Sequence, residues 1–135
     1  MKIIVDSNIF FSALLKVNNK FRNKFIFDDK NNFYTCHFMI VGLFKYKEKV
    51  IELSRMNEED ILEIYYELMK HINLYNESLI NDENYKLAYE LCHDIDEKDT
   101  PFVALTLELD GLLWTGDEEL RKNLLNKNFD RFYSE

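Results

Sequence analysis

Three aspartates sit where separate stretches of chain each end in an acid. Asp6 closes Ile3-Ile4-Val5, Asp117 closes Leu112-Leu113-Trp114-Thr115-Gly116, and Asp99 directly precedes Thr100-Pro101. Carboxylates brought to one cleft repel each other and lose hydration, so the arrangement asks for a cation among them. Hard oxygen donors with open positions suit Mg²⁺ or Mn²⁺, which then bind phosphate oxygens. Taken singly, each acid is more readily read as a helix cap that complements the helix dipole than as a catalytic group. Agreement of all three at one sheet edge is what favours chemistry. Asn8 and Thr115 would orient carboxylates or a water by hydrogen bonds, or serve only as a helix-start residue and a strand-end hydroxyl. Asp96, close before Asp99, is either an auxiliary acid folded towards the cleft or an exposed loop acid.

The elements that must position these acids follow from periodicity. Ile3-Ile4-Val5 is a short β-branched run, read as a buried strand. Ser7-Asn8 offers a helix start, with Ile9, Phe10, Ala13, Leu14 and Val17 at helical spacing, and a second short helix fits Phe21–Phe27. Phe33–Cys36 suits a strand, Phe38–Leu53 a helix, and Asn57 begins another helix. Ile72–Tyr75 reads as a strand and Asn81–His93 as a helix. At Thr100-Pro101 the expectation is that Thr caps and Pro takes the first helical position. Leu112–Thr115 is a strand, Asp117 heads a last helix, and the tail Phe129–Tyr133 is expected to add an edge strand. Strands alternating with helices imply one domain over residues 1–135, a three-layer α/β/α sandwich around a mostly parallel sheet of four to five strands. Ligands of such sheets bind beyond the carboxyl ends of the strands, where the acids lie.

Composition narrows the class. At 135 residues, 47% hydrophobic and 15% aromatic, the chain can bury a core. No apolar run is long enough for a membrane span, and an acid follows the N-terminal strand too soon for a signal peptide. Cys36 and Cys92 lie far apart, so they read as buried thiols in a reducing, cytoplasmic setting. His37, His71 and His93 show no ligand spacing. The net charge of −8 lacks the basic footprint usual for nucleic-acid binding. A nucleic-acid ligand would need local basic residues, bound cations or a partner supplying positive charge.

The ordered set Val5-Asp6-Ser7-Asn8, "FMIVGLFKYKEK" and "DTPFVALTLELDGLLWTGDEEL" resembles the PIN-domain family, metal-dependent ribonucleases that include VapC-like toxins of toxin–antitoxin pairs. Thr115-Gly116-Asp117 is similar to the family's Thr-x-Asp signature. The resemblance implies that Asp6 and Asp99 are principal ligands of one or two Mg²⁺ or Mn²⁺ ions and that Asp117 completes the cage. It further implies hydrolysis of RNA phosphodiesters, an antitoxin partner and a homodimer. Phe10, Phe11, Phe21, Phe25 and Phe27 are read mainly as core, with some available to such an interface. The family carries another site glutamate on the helix after the second strand, and Gly42 stands in its place here. Glu48 is a poor substitute, because six residues of helix turn it roughly 120° away, and it is read as part of the solvated run Lys45–Lys49. A helix-interior glycine has an intrinsic cost of about 0.5–1 kcal/mol. The favoured reading is that Gly42 disarms a toxic nuclease; a naturally weakened member and a close-packing role are the alternatives.

Two other acidic α/β chemistries fail on spacing. A receiver-type phosphoacceptor needs adjacent acids after the first strand, and a haloacid-dehalogenase-type phosphatase needs Asp-x-Asp, which Asn8 breaks. The remaining rival is a non-catalytic PIN-like binding module with a vestigial cleft.

Overall fold

The computed structural model describes residues 1–15 and 19–134; Val17 lies outside them. Among the described residues four strands form the sheet: β1 (Lys2–Val5), β2 (Asn32–Cys36), β3 (Ile72–Tyr75) and β4 (Leu112–Trp114). All pairings are parallel and the order is β3-β2-β1-β4. Ile3, Ile4 and Val5 of β1 are completely buried, as expected of the apolar run in a central strand covered on both faces. The tail does not form the expected strand. Among the described residues of the tail only Phe132 bridges to Leu113, where the Leu113 N–H donates to the Arg131 carbonyl and the Tyr133 N–H to the Leu113 carbonyl.

Seven helices flank the sheet among the described residues: α1 (Ser7–Leu14), α2 (Lys20–Phe27), α3 (Phe38–Ser54), α4 (Glu58–Met69), α5 (Asp82–Cys92), α6 (Thr100–Glu108) and α7 (Glu118–Asn126). Asp6, Asn19, Asn57, Asn81 and Asp117 cap α1, α2, α4, α5 and α7, their side-chain oxygens accepting otherwise unpaired N–H groups. α6 is buried from Thr100 through Thr106, packs on α5 and lies against β1 and β2. Phe25 of α2 meets Phe33 and Trp114 at ring centroid distances of 4.9 and 5.2 Å, tying that helix to β2 and β4.

One cap differs from expectation. Residues Glu97–Asp99 form a 3-10 turn that runs straight into α6, so Asp99 takes the cap position and Thr100 is already helical. The Thr100 hydroxyl is buried and has no hydrogen-bond partner among the described residues, and Pro101 keeps its place in the first turn. Among the early aromatics, Phe10 and Phe25 are core, Phe11 and Phe21 are half-buried, and Phe27 is exposed. Both cysteines are free and buried; burial pushes the Cys92 thiol up to about 12 and raises that of Cys36 as well.

Candidate acidic cleft at the sheet edge

Strand order decides where the cleft lies. The chain proceeds from β1 outward through β2 and β3, then returns to the other side of β1 as β4. The crevice between the carboxyl ends of β1 and β4 is thus the point at which connections diverge, the place where α/β sheets bind ligands. Asp6 follows β1 there, and its N–H donates to the Trp114 carbonyl at 3.2 Å. Thr115 to Asp117 leave β4 on the adjacent side.

Asp6 is almost fully buried. Its carboxylate accepts the Ile9 N–H at 2.9 Å, and the neighbouring Thr115 hydroxyl and Asn8 N–H favour its charged form. Burial nevertheless dominates, and with Asp117 nearby the group is pushed up to about 6. Asp99 is raised to about 7, first by burial and then by the negative charge of Asp96, Asp6 and Asp117. Its Oδ2 is buried and has no hydrogen-bond partner among the described residues. The four acids therefore share one electrostatic neighbourhood.

They do not all face the same space. A cavity of about 230 Å³ is lined by Asp6, Asn8, Gly42, Asp96 and Asp99, but not by Asp117. The Asp117 carboxylate accepts the Leu120 N–H at 3.0 Å, capping α7, while its own N–H donates to the Thr115 hydroxyl at 3.1 Å. Thr115 thus bonds the Asp117 backbone and stands beside Asp6. Asn8 is exposed at the rim, and Asp96 caps the 3-10 turn by accepting the Lys98 N–H at 3.0 Å. Glu48 is solvent-exposed.

Among the described residues, no set of three Asp, Glu, His or Cys side chains is arranged to hold a metal ion. The residues still suit a hard divalent cation in kind. An orphaned buried carboxylate oxygen on Asp99 faces uncompensated negative charge, and all donors are oxygen. Mg²⁺ commonly takes only one or two carboxylates and keeps several waters.

The cleft also contains residues that motif spacing did not single out. Lys45 and Tyr46 follow Gly42 on α3, Lys98 lies between Asp96 and Asp99, and Phe11 faces Gly42 from α1. Lys45 could have been found from its three-residue offset, which places it on the same helical face as Gly42. Phe11 carried no such signal.

With fold and cleft defined, the comparisons identify the class. The PIN domain family matches residues 4–128, and the chain belongs to that family. A chain in the crystal structure of VapBC2 from Rickettsia felis bound to a DNA fragment from their promoter shares the fold. It is 14% identical with a TM-score of 0.66, over 90% of this chain and 92% of that one. No curated protein matches this chain significantly. Among the described residues no helix is long and apolar enough to cross a membrane.

Proposed function

We propose that the chain is a PIN-fold endoribonuclease, the cytoplasmic toxin of a toxin–antitoxin pair, that lacks one site carboxylate at position 42. The observation that carries this reading is that Gly42 lines the same cavity as Asp6 and Asp99. A glutamate there would join two acids already drawn together. Asp6 and Asp99 would hold Mg²⁺ or Mn²⁺, with Asp117 acting on both through the field and through Thr115. When bound, the cation supplies Lewis acidity for phosphodiester hydrolysis and neutralises charge at the phosphate. Thr115 and the α1 backbone N–H groups fix the Asp6 carboxylate, so its free lone pairs keep one direction. Asp96 adds negative charge at the rim. A cognate antitoxin and a second copy of the chain complete the assembly; the fold shared with a chain of the VapBC2 complex supports an antitoxin partner.

Cleavage of several RNAs by the chain and by Gly42→Glu, each with Mn²⁺ and with EDTA, tests the proposal. Metal-dependent cleavage by Gly42→Glu, with little or none by the parent chain, is expected. Equal inactivity of both folded proteins would sink it. A second reading, a nucleic-acid-binding module without turnover, draws on the missing three-acid metal set among the described residues. It is favoured if Mn²⁺ raises the melting temperature of neither protein, because an ion bound to the folded state must stabilise it.

A further inference from the structure

The cleft contains more apolar surface than metal and phosphate chemistry use. Phe11, Phe38, Val41 and Tyr46 line it together with the acids. The Phe11 and Tyr46 rings meet edge to face, with centroids 6.1 Å apart and planes at 63°. Tyr46 keeps 42% of its surface exposed, so its ring is accessible from solvent. The Lys45 Nζ lies 5.6 Å from the centre of that ring, and Lys98 brings a second cation to the same cavity of a chain whose net charge is −8.

Gly42 is part of this arrangement. A Cβ at that position would stand 3.2 Å from the Cζ of Phe11, so the bare α3 backbone is what admits the ring tip. Aromatic faces beside lysines are the usual means of gripping single-stranded nucleic acid: bases stack while cations follow the phosphates. Resting on the reading of the cleft as an RNA site, we propose that Phe11 and Tyr46, seated beside Gly42, form a nucleobase subsite for single-stranded RNA whose flanking phosphates are held by Lys45 and Lys98.

Binding without turnover tests this separately from catalysis. Fluorescence anisotropy in EDTA would compare a labelled single-stranded RNA with the same oligonucleotide carrying abasic positions. The parent chain is expected to prefer the intact RNA. Tyr46→Ala should weaken intact RNA by about fivefold to a hundredfold and erase the preference, while Tyr46→Phe retains both. Lys98→Ala should lower the slope of log affinity against log salt by roughly one. Tyr46→Ala and Phe11→Leu proteins that bind intact RNA like the parent would overturn the subsite, even if Gly42→Glu cleaves RNA. Failure of Gly42→Glu to cleave, with the Tyr46 pattern present, would instead remove the nuclease reading alone. A parent chain that binds neither RNA overturns the subsite too and leaves this wall to a protein partner.

Discussion

The tip of the Phe11 ring occupies the space beside Gly42: a Cβ there would lie 3.2 Å from Cζ and 3.8 Å from Cε2. That contact is tight, but the atoms in the way are the far end of a half-buried ring at an open cleft, and a small tilt relieves it. Gly42→Ala is therefore expected to stabilise the fold by roughly 0.5 kcal/mol, since alanine recovers helix propensity of about 0.5–1 kcal/mol. Chemical denaturation checks it. A loss above about 1 kcal/mol would mean that Phe11 cannot move and that position 42 tolerates no side chain.

Gly111 provides the opposite case. A Cβ there would meet the Lys2 carbonyl oxygen and the Ile4 Cδ1, each at 2.6 Å, and the first of these is backbone in the central strand. Gly111→Ala should therefore destabilise by about 1–3 kcal/mol through overpacking and backbone displacement. The pair of alanine variants, measured side by side, should move in opposite directions.

Stability should depend on pH through the buried acids. Asp6 and Asp99 have folded values of about 6 and 7 against an ordinary 3.8. The folded state thus binds more protons than the unfolded state between those limits. Their contribution is full below about pH 4 and is lost as pH rises to about 7. In EDTA the melting temperature should fall between about pH 4 and pH 7. Asp99→Asn should match the parent near pH 4, exceed it at about pH 8 and show a shallower fall. Asp28, lowered to about 2 chiefly by its bond from Asn31, acts oppositely and matters only in strong acid. An Asp99→Asn profile parallel to that of the parent would refute the assignment.

Much of this architecture is legible in the order of residues alone. Ile3-Ile4-Val5 announces a central parallel strand because both its faces are buried, so the run is continuous rather than alternating. Asp6 and Asp117 are legible because their capping spacing is local, three residues to the N–H they accept. The start of α6 is not: a 3-10 turn at Glu97–Asp99 moves the boundary by one residue, and Thr100 becomes buried instead of capping. The expected tail strand shrinks to one bridge because its pairing with β4 stops at the two backbone hydrogen bonds around Leu113, while the side chains of Phe129 and Tyr133 are buried by packing. Phe11 against Gly42 could not be read at all, since contact between α1 and α3 depends on how two helices cross.

Asp6 combines two jobs that one substitution can separate. Its carboxylate caps α1 through the Ile9 N–H and also lines the cleft. Asparagine ranks with aspartate as a cap, while alanine at such a position costs about 1 kcal/mol. Asp6→Asn should therefore keep the stability of the parent in EDTA at about pH 8, or exceed it, because a buried charge disappears. Asp6→Ala should be less stable than Asp6→Asn by about that cap energy. If Asp6 is an ion ligand, Mn²⁺ should raise the melting temperature of Gly42→Glu but leave Gly42→Glu combined with Asp6→Asn unmoved, since a neutral amide is a far weaker donor to a hard cation. An undiminished Mn²⁺ response in the double variant would assign the ion to other acids and leave Asp6 as a cap alone.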